Sequence, residues 1–249
     1  MTAGLTGADY VGQLCKCPYP IGTATGQAMT ETGYNYQLPE TDSKMGANYY
    51  SIQLNSNTYS ITYNGVSTMG WTQFVLAESP SGAQIYVQWW LLGYASNGRS
   101  CPFSWYASGS DCFMNSSTNS ETFHDAGSLT SISLGGSATS TQDTLTYCFA
   151  GTCDSVSGPD TVFLSQNWYQ VEWNVVGYCC LSEAIFNQGA YLQIGVSLGF
   201  PDPETMGCTT GGTTGEGNNM NLGSSCSTPY LNGYVFDESV PNLHCPPAC

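Results

Sequence analysis

From Asn48 onward, short runs dense in apolar side chains recur along the chain between polar turns: 49–54, 59–63, 71–77, 84–92, 129–134, 143–149, 161–163, 169–176 and 190–198. Each is rich in β-branched or aromatic residues and bounded by turn formers, so each reads as a strand. No stretch of twelve residues keeps a 3.6-residue apolar period, so no amphipathic helix of ordinary length is expected. Regularly spaced short strands with turns between them predict an all-β sandwich rather than alternating strands and helices.

Two of these strands carry the clearest two-sided pattern. Alternation in 84–92 puts Gln84, Tyr86, Gln88 and Trp90 on one face and Ile85, Val87, Trp89 and Leu91 on the other. In 169–176 it sets Gln170, Glu172 and Asn174 against Val171, Trp173 and Val175. Each apolar face is a core face. If the two polar faces share one concave sheet, Gln88 and Glu172 approach a common guest, with Tyr86, Trp90, Gln170 and Asn174 as walls.

The flanks read differently. Residues 1–46 are rich in Gly, Pro and Thr, with Cys15 and Cys17 close together, and are expected to form an irregular, stapled N-terminal arm. Residues 47–200 form the sandwich, and 201–249, with four cysteines, a strap tied onto the same domain. A chain of 249 residues is within the size of one large β domain.

Composition adds the setting. Twelve cysteines point to disulfides and an oxidising, extracellular compartment, with Cys101–Cys112, Cys148–Cys153 and Cys208–Cys226 as local loop staples. Neither CxxC pairs nor HExxH occur, so zinc is not expected, and no cofactor is implied. No run of 18 apolar residues exists that would cross a membrane as a helix. No basic and apolar leader precedes Thr2, so a signal peptide is expected to have been removed, and Asn115-Ser-Ser is a glycan acceptor if the source is eukaryotic.

Eighteen acidic against three basic residues give a formal charge of −15, which argues against nucleic acid and anionic membranes as partners. Protonation of the carboxylates at low pH removes their mutual repulsion, so acid tolerance is expected. The protein is expected to be a secreted monomer.

Nucleophilic catalysis needs a histidine near Ser or Cys. Only His124 and His244 are present, and no Gly-x-Ser-x-Gly elbow accompanies them. A carboxylate site suits an acidic extracellular protein better. Asp125, Asp143, Asp160, Glu183 and Glu216 read as loop carboxylates, which leaves Glu172 as the strand-borne candidate. A polysaccharide-binding or polysaccharide-cleaving sandwich is the rival reading, carried by six tryptophans and 17 tyrosines, with Glu78 or Glu183 as a second carboxylate. A non-catalytic secreted structural protein is a further one.

Val171-Glu-Trp-Asn-Val-Val, then Glu183-Ala-Ile-Phe-Asn and Tyr191-Leu-Gln-Ile-Gly-Val, resemble the region around the catalytic Glu of eqolisins. These are glutamic peptidases, acid endopeptidases with a Gln/Glu dyad on a concanavalin-like jelly-roll β-sandwich. Val87-Gln-Trp-Trp is the weaker half of the likeness, and the related neprosin-like peptidases carry a Glu in the place of Gln88. The Trp-Ser/Ala-Gly opening strand of eqolisins is missing, with Asn48-Tyr-Tyr-Ser-Ile in its place. The resemblance implies a polypeptide substrate, Glu172 as general base and acid, and Gln88 as oxyanion donor.

Overall fold

A computed structural model describes residues 13–16, 20–32, 41–199, 207–210, 212–222, 227–230 and 233–240. It is an antiparallel β-sandwich, as the alternating pattern predicts. Over the described residues, the larger sheet has ten strands, the second eight and a small third one four. Across the larger sheet the main path runs 207–210, 13–16, 170–176, 50–56, 66–79, 82–92, 111–115, 106–108. The second runs 152–158, 143–149, 132–138, 23–32, 191–198, 233–239, 221–222.

The core lies between these two sheets. Trp89, Trp173, Ile85 and Val171 are all buried in it, as their alternation requires. Three of the largest rings of the first sheet sit over glycines of the second: Trp173 over Gly26, Phe74 over Gly136 and Trp89 over Gly158. A Cβ built on any of these glycines would fall within 2.2–2.5 Å of the ring. The second sheet thus uses missing side chains to accept oversized ones, which keeps the layers at packing distance.

Several expectations need correction. Residues 161–163 are not a strand: Asp160 accepts from Leu164 N at 2.6 Å and Ser165 Oγ at 2.7 Å, turning the chain into the single helical turn Leu164–Asn167. Residues 129–131 lie in the 3-10 turn Ala126–Ser131, ahead of strand Ile132–Ala138. The 1–46 segment contains the ten-residue strand Thr23–Thr32, which pairs between Ile132–Ala138 and Tyr191–Leu198 inside the second sheet. Its core side is Ala24, Gly26 and Ala28, too small to register as a hydrophobic face. The tail likewise supplies Gly233–Ser239 to that sheet.

Cys101–Cys112 and Cys148–Cys153 are disulfides, the second between residues facing each other across one hairpin. For Cys208–Cys226, the Cys226 position and the Cys208 side chain lie outside the described residues. No helix among the described residues is long and apolar enough to cross a membrane.

Candidate functional site

The face of the larger sheet turned away from the core carries one continuous polar row, of which Glu172, Asn55 and Gln73 are buried. Glu172 stands opposite Asn55, Asn55 opposite Gln73, Gln73 opposite Gln88 and Gln88 opposite Asn115, across five consecutive strands. Because side chains alternate, residues paired in this way project on the same side. Two residues along, Asn174, Gln53, Val75 and Tyr86 form the next row. On the other flank lie Trp71, Trp90, Phe113 and Tyr106, with ring centroids 5.1–6.0 Å apart in succession.

The amides are linked end to end. Gln53 Nε2 donates to Ser51 Oγ, while Gln53 Oε1 accepts from Asn55 Nδ2 at 3.1 Å and Gln73 Nε2 at 2.8 Å. Trp90 Nε1 donates to both Gln73 Oε1 and Gln88 Oε1, and Gln88 Nε2 donates to Asn115 Oδ1. Such a chain fixes which end of each amide faces the cleft. A cavity of about 500 Å³ opens above it, lined by Gln53, Gln73, Gln88, Tyr86, Trp71 and Trp90 and walled by the 178–181 and 214–216 segments.

Glu172 is not part of this lining and lies beneath the tail. It is 1% exposed, and Thr213 donates both its N–H and its hydroxyl to Glu172 Oε2 at 2.7 Å. Glu172 Oε1 is buried without a partner. Burial raises its carboxyl to about 7 despite the Thr213 bonds. Asn174 is equally buried; its Nδ2 donates to Glu238 Oε1 at 2.9 Å, and burial lifts the Glu238 carboxyl to about 8. Asn218 donates to both Asn174 and Glu238.

The structure therefore gathers Tyr86, Gln88 and Trp90 at the cavity and keeps Glu172, Asn174 and Gln170 outside its lining. Gln88 and Glu172 share a face but sit three strand spacings apart, about 14 Å at the usual inter-strand distance, so they cannot hold one water between them. Gln73 is one strand closer. Glu78 lies five residues from Gln73 on the same strand and so points to the opposite face, into the sandwich, with no part in a carboxylate pair with Glu172. Asp143 is no loop carboxylate: it is fully buried and accepts from Trp89 Nε1 at 2.7 Å.

Sequence reasoning missed Gln53, Asn55, Gln73, Thr213 and Glu238. The first two had a legible signal, since Ser51, Gln53 and Asn55 alternate with Ile52 and Leu54; Gln73 had less, since Thr72 and Val75 blur the alternation around it. Thr213 and Glu238 had none, because they reach the site only through the path of the tail.

Neither a family model nor a curated protein matches the sequence. Among solved structures, the chain is similar to a crystal structure of scytalido-glutamic peptidase with a transition state analog inhibitor. That likeness has a TM-score of 0.44 and 11% identity and covers 93% of this chain and 98% of the other.

Proposed function

We propose that the chain is a secreted peptide hydrolase acting in acid, with Glu172 as general base and acid and the glutamine row as oxyanion donor. The observation that supports it most is the register of one buried carboxyl with successive amides on the face of one sheet turned away from the core. An extended peptide laid in the cavity meets Gln53, Gln73 and Gln88, whose N–H groups suit a developing oxyanion. Gln73 takes the role nearest Glu172, and Gln88, with Trp90, holds the substrate farther along.

Thr213 marks where the water belongs. Its hydroxyl occupies hydrogen-bonding distance of Glu172 Oε2, the position from which a nucleophilic water would give up its proton. In this conformation burial keeps Glu172 protonated below about pH 7. Displacement of the 212–216 segment rehydrates the carboxyl, lowers its pKa and allows it to work as a base in acid.

The test is cleavage of a denatured protein at pH 3.5 in the presence of pepstatin. Gln73→Ala should lose about 10²–10³-fold in kcat, the cost of one oxyanion donor, and Gln88→Ala should lose less. Equal losses for both, or none for Gln73→Ala, contradict the assignment.

A second reading has its own observation. The strip from Trp71 to Tyr106 ends in a ring that is 66% exposed, with Phe103 at 99% nearby, and such a surface stacks sugar rings. Retention on insoluble polysaccharide without cleavage of any protein would favour it.

A further inference from the structure

A second cavity, of about 460 Å³, opens beside the 121–124 loop and the hairpin 143–158, lined by Glu121, His124, Tyr147, Phe149 and Asp154. Its surroundings are negative. The Glu121 carboxyl is hydrogen-bonded to that of Asp154, and Glu121 Oε1 is buried without a donor of its own. Behind His124 lies Glu78, fully buried; its Oε2 accepts from His124 N at 3.2 Å. Glu78 Oε1 has no hydrogen-bond partner and faces His124 Nδ1 at 3.9 Å.

Neither of the two cationic side chains that the structure describes answers these three carboxyls. Lys44 donates to Cys180 O, and Arg99 to Tyr94 O. One wall is aromatic: the His124 and Phe149 rings stack with centroids 3.6 Å apart, and Tyr147 Oη lies 3.2 Å from His124 Nδ1. The unpartnered Glu121 oxygen, the Asp154 carboxyl beside it and a flat ring surface together suit a cation with an apolar stem. The carboxyls do not converge as a metal cage, since no group of three such ligands among the described residues could hold an ion.

We propose that this cavity binds an alkylammonium group. The ammonium sits against Glu121 and Asp154, and its methylenes lie along Phe149. The site is independent of the Glu172 row. A lysine side chain of a peptide and a free polyamine share this chemistry.

The test follows the ring protons of Phe149 and His124 by NMR at pH 7 while Nα-acetyl-lysine N-methylamide is added, with putrescine in a parallel arm. Saturable shifts in either arm are expected. Stronger binding of the blocked lysine identifies a peptide side chain, and stronger binding of putrescine a polyamine. Glu121→Gln with Asp154→Asn should weaken binding at least tenfold, while Glu172→Gln leaves it unchanged; near-UV circular dichroism confirms that each variant is folded. The proposal is overturned by equal binding of the norleucine analogue, which is neutral, by calcium displacing the amine, by undiminished binding in the folded double variant, or by no saturation at 50 mM.

Discussion

Trp90 Nε1 lies 2.9 Å from Gln73 Oε1 and 2.8 Å from Gln88 Oε1, so one indole N–H orients two neighbouring amides on adjacent strands. With both carbonyl ends tied to Trp90, the amino ends point along the row. Trp90→Phe keeps the ring stack with Phe113 but releases both glutamines. The expected result is a fall in kcat of about tenfold from lost orientation, with little change in unfolding midpoint. Peptide hydrolysis and urea denaturation measured side by side separate the two effects.

Stability should be greatest in acid. Burial raises Glu78, Asp143 and Glu238 to about 8 and Glu172 to about 7. For an acid whose folded pKa lies above its unfolded value, the folded state binds more protons between the two. The stabilisation is then complete below about pH 4.5 and is lost as pH rises through 7–8. Thermal unfolding should therefore show a melting temperature several degrees higher at pH 4.5 than at pH 8.5. A flat or rising profile over that range would contradict the buried, neutral state of these carboxyls.

Asp143 offers the sharpest single-site check on that core. Its Oδ2 accepts from Trp89 Nε1 deep between the sheets. Asp143→Ala strands a buried indole N–H and should cost about 1–3 kcal/mol, plus a cavity contribution. Asp143→Asn retains an acceptor, should cost less, and should flatten part of the alkaline loss of stability. Denaturant unfolding of both variants at pH 5 and pH 8 reads this directly.

The alternation that defined the sandwich was legible because large apolar residues mark a buried face every second position. In 84–92 and 170–176 it assigned Trp89 and Trp173 to the core and Gln88 and Glu172 to the outside. It failed where the core face is built from absence, as in Thr23–Thr32, whose Ala24, Gly26 and Ala28 make room for Trp173. It also failed for the polar strand Thr152–Gly158, which is held by ladder bonds and a disulfide more than by apolar burial. Within the site, the sequence named two members of a row. Only strand order revealed that Asn55 and Gln73 stand between them, because register across non-adjacent segments has no local signature.

The closure of Glu172 by Thr213 has a spectroscopic consequence. In the free protein the Glu172 side-chain carboxyl should titrate near pH 7, followed by its ¹³C shift. Thr213→Val keeps the shape but removes a hydroxyl that stabilises the carboxylate, so the midpoint should move upward. A midpoint near 4.5 in the wild type would mean that the tail does not cover this carboxyl in solution.

The central claim is that Glu172 carries out hydrolysis. Its most direct measurement compares wild type and Glu172→Gln on a denatured protein at pH 3.5, by mass spectrometry of the products. Glu172→Gln matches the shape and neutrality of the protonated residue, so the fold should survive. Cleavage by the wild type and none above background by the variant is the expected result; equal cleavage by both, or no cleavage by the wild type at any pH, contradicts it.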